Sequence, residues 1–141
     1  MNTTPAEHAD ERTGGCRCGL IQFTVTGSAI YPHTCSCVDC QKLGGGPMMW
    51  WAGWPAERIA WSGWDSIKWF ETFKDEAKRG FCPECGTRLA AIDSNIPEIG
   101  INVTALESTT GADLIPINQS FRKTAVHWLP QVPDAAASTV G

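Results

Sequence analysis

Seven cysteines fall into three tight groups: Gly15-Cys16-Arg17-Cys18-Gly19, Cys35-Ser36-Cys37-Val38-Asp39-Cys40 and Phe81-Cys82-Pro83-Glu84-Cys85-Gly86. None stands outside a group. Two cysteines two or three positions apart can fill two corners of zinc's preferred tetrahedron from one tight loop, with each sulfur about 2.3 Å from the metal. Flanking glycines permit the bend. An odd count, in a chain whose first residues lack an export signal, points to metal before disulfides. A redox dithiol at Cys82 and Cys85 would need a helix opening at the first cysteine, whereas Gly86-Thr87-Arg88-Leu89 reads as turn and strand. Spacing alone leaves two divisions open. Cys37, Cys40, Cys82 and Cys85 would make a ribbon-type site and orphan Cys16, Cys18 and Cys35. The alternative is a closed site on Cys16, Cys18, Cys82 and Cys85 beside an open one on Cys35, Cys37 and Cys40. It keeps every group intact, so the chemistry favours it.

The groups must be carried by short strands. Leu20–Thr26 alternates with period two and is rich in β-formers, and Gly27-Ser28 marks the turn after it. Met48–Trp54, Arg58–Trp61, Ile67–Phe73, Thr87–Ile92 and Ile99–Val103 also read as strands, each bounded by Gly, Pro, Asn or Asp. No long stretch has helical period. Strands spaced near ten residues apart predict an all-β domain of antiparallel sheets. Six of the seven tryptophans lie between Trp50 and Trp69, where large rings would fill the core of a small β domain. With 141 residues, one domain is expected. It would run over 14–130, between a flexible N-terminal segment, 1–13, and a flexible tail, 131–141. Met1 to Thr13 has no signal-peptide pattern and no run is apolar enough to span a bilayer, so a soluble, cytoplasmic protein is expected. The net charge of -4 argues against a nucleic-acid partner.

These motifs, with Gln41-Lys42-Leu43-Gly44 after the second group and Arg79-Gly80 before the third, resemble the glutathione-dependent formaldehyde-activating enzyme family. Its domain also occurs in centromere protein V, and the match spans roughly Gly14 to Trp128. The resemblance implies an Mss4-like, or β-tent, arrangement of antiparallel sheets. It also implies two zinc ions: a structural one on Cys16, Cys18, Cys82 and Cys85, and a catalytic one on Cys35, Cys37 and Cys40. Two places depart from the family pattern. Ser36 stands where many relatives have His, and Pro116-Ile117-Asn118-Gln119-Ser120-Phe121 stands where relatives often show Pro followed soon by His.

Three thiolates on zinc leave a net charge of -1, which dampens activation of water and suits capture of an external thiol for attack on an aldehyde. For glutathione and formaldehyde the product is S-hydroxymethylglutathione, so the resemblance implies a carbon–sulfur lyase or synthase. A carrier, or a binding module held together by zinc, is the alternative. Lys42 is the nearest cation in sequence for a glutathione carboxylate, with Arg122 and Lys123 behind it. Gly44-Gly45-Gly46 would let a substrate approach the metal or merely turn the chain. His33 could complete the second site, and Asp39 reads as a turn residue able to accept a thiol proton. His127 belongs with the last strand or core, and His8 with the lead-in.

Overall fold

β-Branched and aromatic residues at alternate positions give each strand one face to bury. The computed structural model describes residues 10–134. Ten strands form: β1 (Glu11–Gly15), β2 (Gln22–Thr26), β3 (Ile30–Cys35), β4 (Met49–Trp54), β5 (Ile59–Ser62), β6 (Lys68–Phe73), β7 (Ala77–Phe81), β8 (Arg88–Asp93), β9 (Ile99–Asn102) and β10 (Gln119–Ser120). One α-helix among the described residues, α1 (Val38–Gly44), follows β3. The strands make a small sheet ordered β1-β2-β5 and a large one ordered β10-β3-β4-β9-β8-β7-β6. Neither closes on itself. Pairing is antiparallel except where β10 lies parallel to β3, with Gln119 opposite Thr34 and Ser120 opposite Cys35. This is the mostly-β, open-sheet architecture that the resemblance implies.

All six expected strands form, and four more accompany them. β1 starts at Glu11, ahead of the expected domain start at Gly14, and pairs Glu11 with Thr26. At the other end, the Val132 N–H donates to Gln119 Oε1 at 2.7 Å and Arg122 Nη2 donates to the Val132 carbonyl at 3.0 Å, inside the stretch expected as tail. The rest of the expected end segments, 1–9 and 135–141, lies outside the described residues.

The period-two rule divides the large sheet into two working faces. Ala52 and Trp54 of β4, Ala90 of β8 and Ile101 of β9 point into a core shared with Phe23 and Val25 of β2 and Ile59 of β5, and the register break opposite Gly80/Phe81 brings Leu89 into it as well. Trp54, Val25, Leu89 and Ile101 are fully buried there. Trp61, Trp64 and Trp69 pack along the edge of this core as a chain of tilted rings with centroids 5.0 and 5.4 Å apart. The opposite face gathers Trp51 and Ala91 with Cys35, Cys40 and Met49 in a separate cluster. One face thus holds the sheets together and the other is left for a site. No helix among the described residues is long and apolar enough to cross a membrane.

Candidate metal centres

Cys16 and Cys18 lie in the turn joining β1 to β2, and Cys82 and Cys85 in the turn joining β7 to β8. Small sheet and large sheet therefore each contribute two sulfurs. All four Sγ atoms fall within 4.8 Å of one another. Cys18 Sγ is 3.7 Å from both Cys16 Sγ and Cys82 Sγ. A tetrahedron with arms of 2.3 Å has edges of about 3.8 Å, so this is zinc spacing and not disulfide spacing. Backbone N–H groups of Ile21 and Glu84 donate to Cys16 Sγ and Cys82 Sγ at 3.3 and 3.4 Å, as suits sulfur that carries negative charge. Gly86 holds φ +81, which the tight turn after Cys85 requires and a side chain would strain.

Protonation tells the same story. The Thr87 hydroxyl and N–H bring the Cys85 thiol down to about 5. Cys18 is helped down by the Leu20 N–H, but burial and its neighbouring sulfurs push it up to about 12. Four sulfurs so close cannot all ionise unaided; a divalent cation at their centre removes the conflict. The donor set fits zinc.

The second cluster forms where β3 runs into α1. Cys35 ends the strand, Cys37 is the helix N-cap and Cys40 sits in the first turn, with all three sulfurs within 4.8 Å. Cys37 Sγ accepts from the Cys40 N–H at 3.3 Å, taking the capping role usually given to Ser or Asp. Its thiol is pushed up by burial. The Cys40 thiol draws Cys35 down and is itself raised, since it shares its proton with Cys35 in a buried place. Trp51 packs with Cys40 in the same buried cluster. No fourth protein donor joins this group among the described residues. His33 does not: its Nδ1 lies 2.9 Å from the Tyr31 carbonyl and its ring stacks on Tyr31 at 4.4 Å.

The two departures from the family pattern meet beside this cluster. Ser36 is fully buried, and its Oγ accepts from Gln119 Nε2 at 2.8 Å. Its carbonyl accepts from Gln41 Nε2 at 2.7 Å and from Thr124 Oγ1 at 2.8 Å, and its N–H donates to the Ser120 carbonyl at 2.9 Å. The cysteine loop is thereby tied to the C-terminal segment.

Cys35, Cys37 and Cys40 open into a cleft of about 680 Å³ on the free face of the large sheet. Strand register builds its floor: Ala91 pairs with Gly100, Gly100 with Gly53, and small residues leave room above the sheet. Asp39 lines the cleft, exposed in the first turn of α1. Arg79 lines it too, paired with Asp93 at 2.9 Å and lying 5.9 Å over the Trp51 ring. Lys42 is exposed on α1 and is not among the cleft-lining residues. Arg122 is spent on the Gln119 and Val132 carbonyls and Gln131, and Lys123, beside it, is exposed outside the cleft. Of the glycine run, Gly44 packs against Met49 with no space for a Cβ, so it serves helix packing. His127 is exposed in a bend near the chain end, not in a strand or the core as expected, and His8 lies outside the described residues.

Arg79 and Trp51 are the site residues that sequence reasoning passed over. Arg79 stood within the quoted motif but carried no assigned role, and Trp51 was counted only among the packing tryptophans. The alternation Trp50-Trp51-Ala52-Gly53-Trp54 was the available signal, because it puts Trp51 with Gly53 and opposite the core residues.

A mostly-β fold carrying one four-sulfur cluster and one three-sulfur cluster, each able to hold a metal ion, defines the class of protein. The profile of the glutathione-dependent formaldehyde-activating enzyme matches residues 11–124, and the chain belongs to that family. A crystal structure of a Rhodobacter sphaeroides protein from a structural genomics programme superposes with a TM-score of 0.61, at 23% identity, covering 77% of this chain and 99% of that one. That likeness concerns the fold. No curated protein matches the chain in sequence.

Proposed function

We propose that the chain is a zinc-dependent carbon–sulfur lyase or synthase that makes or cleaves a thiol–aldehyde adduct in the cleft above Cys35, Cys37 and Cys40. Glutathione and formaldehyde, giving S-hydroxymethylglutathione, are the reactants that the family's name suggests. The observation that carries the reading is a three-sulfur cluster with no fourth protein donor among the described residues, facing a cleft large enough for a substrate. A zinc ion there would supply acidity toward an external thiol through its free corner. Cys35, Cys37 and Cys40, which line the cleft, would hold the ion, and Trp51 packs with Cys35 and Cys40 in one buried cluster. Asp39 makes no side-chain hydrogen bond or ion pair among the described residues. In this reading Asp39, which lines the cleft, takes the proton that the thiol gives up. The new carbon–sulfur bond uses the sulfur lone pair, the carbonyl π pair moves to oxygen, and a proton returns to that oxygen. Cleavage is the reverse. Cys16, Cys18, Cys82 and Cys85 offer no open corner and serve the fold.

The test is exchange NMR on glutathione mixed with formaldehyde, which interconvert with their adduct spontaneously. Zinc-loaded wild type should speed the interconversion above the buffer rate, and Cys37→Ser should not. Equal rates with wild type, Cys37→Ser and buffer would overturn the assignment as an enzyme.

A further inference from the structure

The helix that carries Cys40 is seven residues long, too short to hold its shape alone in water, so both of its ends must be fixed from outside. At the first end Cys37 is the cap. At the other, Gly45 turns the chain in the left-handed conformation and the Leu43 carbonyl needs a donor that the helix cannot give it, because Pro47, four residues on, has no N–H. Arg88 of β8 supplies one: its Nε donates to the Leu43 carbonyl at 2.6 Å. A cation at a helix C-terminus also suits the helix dipole.

Arg88 is held in turn by the four-sulfur turn. The Thr87 carbonyl accepts from the Cys82 N–H at 3.0 Å, and the Thr87 hydroxyl lies 3.2 Å from Cys85 Sγ and accepts from the Arg17 N–H at 3.0 Å. The Arg88 carbonyl accepts from Asn102 Nδ2 at 2.9 Å, and its guanidinium lies 4.6 Å over the Phe81 ring. Contacts therefore run unbroken from the four-sulfur cluster through Thr87 and Arg88 to α1. Packing alone does not call for an arginine here. Its Nη1 is buried with no protein hydrogen-bond partner, and no carboxylate pairs with it among the described residues. Burial pulls the guanidinium below the ordinary arginine value. An apolar side chain would fill such a place at less cost. Arg88 shares with Asp39, Cys40 and Leu43 a cavity of about 10 Å³, room for about one water molecule and not for a substrate, so it acts on the site through α1.

We propose that Arg88 is a positioning residue for the three-sulfur site: it ties the end of α1 to the four-sulfur turn, so that the order of one cluster sets the placement of Cys37 and Cys40 in the other. The inference rests on the proposed function for what the site binds, while the strut itself stands on the contacts from Thr87 to Leu43.

Two substitutions separate the strut from mere filling of space. Arg88→Met keeps the apolar stem and removes the bond to Leu43, whereas Arg88→Lys keeps a charged donor. With cobalt in both sites, sulfur-to-cobalt charge-transfer absorption follows the metals as a chelator withdraws them. In Arg88→Met, the cobalt that leaves while the near-ultraviolet circular dichroism is retained should do so at about three- to tenfold lower chelator concentration than in wild type. Glutathione, read by the absorption it adds, should bind more weakly by a similar factor. The remaining cobalt should leave as it does from wild type, and Arg88→Lys should recover most of both losses. Asp113→Asn, which loosens the fold without touching α1 or either cluster, controls for a general loss of stability and should leave the first release unchanged. If Arg88→Met does not fold, the shorter, uncharged Arg88→Gln gives the same comparison. A first release unchanged in the Arg88 variants, or shifted equally in Asp113→Asn, would overturn the strut and leave the open site standing. A wild-type spectrum that glutathione does not perturb would overturn the thiol site, and the first release would still decide the strut.

Discussion

Ser36 shows how a single residue can be read wrongly as a loss. Seen in sequence, it is a histidine position left without its ring; in the fold it is a buried hydroxyl bonded to Gln119, the other place where the chain departs from its relatives. The two residues satisfy one another. Ser36→Ala would leave a Gln119 N–H unmatched in a place only 3% exposed, which should cost about 1–2 kcal/mol. Ser36→His should cost more, since a fully buried position would have to shift to admit the larger ring. In urea melts of Ser36→Ala, Gln119→Met and the double variant, the two sites should couple by about 0.5 kcal/mol or more. Strict additivity would mean that the hydrogen bond contributes nothing. The cysteines themselves were legible, because metal chemistry is written in residue type and spacing. Their partition was not decided by spacing, as sulfurs 64 positions apart become neighbours only once two sheets have packed. The Ser36–Gln119 bond was invisible for the same reason.

At the scale of elements, legibility followed the hydrophobic pattern. β2, β4, β5, β6, β8 and β9 alternate and were expected; β1, β3, β7 and β10 were not. β3 contains Pro32 and a register break between Ile30 and His33, both of which weaken a strand signal. β7 reads Ala-Lys-Arg-Gly-Phe, so its extended state comes from neighbours on both sides. α1 is only seven residues long and is capped by a cysteine, which no propensity rule would flag. β1 is a polar edge strand, and what anchors it is an ion pair between Arg12 and Asp113. Asp113 also accepts from the Ala29 N–H at 2.8 Å, so one carboxylate ties the small sheet to the start of β3 and to the 3-10 turn at Ala112–Leu114. Burial tends to raise Asp113, but Arg12 and the Ala29 N–H outweigh it and hold the carboxyl below its ordinary value. A depressed folded value means that the stabilisation is complete above the ordinary carboxylate pKa and is lost as pH falls through the folded one. Asp113→Asn should therefore melt earlier than wild type at pH 7, by about 1 kcal/mol after allowance for solvent screening. The difference should vanish once pH drops below the folded value. A gap that persists in strong acid would assign the effect to packing instead.

For the molecule as a whole, the two clusters should differ in what they do for stability. Cys16 and Cys18 belong to the small sheet's connection and Cys82 and Cys85 to the large sheet's, so an ion among them clamps one sheet to the other. Its binding free energy is then folding free energy. Cys35, Cys37 and Cys40 lie within six consecutive residues, and an ion there fixes only the junction of β3 and α1. The open corner also exposes that ion to competing ligands. Protein purified anaerobically should carry up to two zinc ions, and a chelator should remove them in two stages. The first zinc should leave without loss of the near-ultraviolet circular dichroism that the packed tryptophans produce. The second should take the tertiary signal with it. Cys16→Ser and Cys85→Ser should accordingly be insoluble or lose that signal from the outset, whereas Cys37→Ser should stay folded with about one zinc and show only the second stage. Metal analysis and circular dichroism on the same chelator titration give both readouts. A single concerted release, or a Cys16→Ser protein that melts within a degree or two of wild type, would mean that the division into a clamp and an open site is wrong.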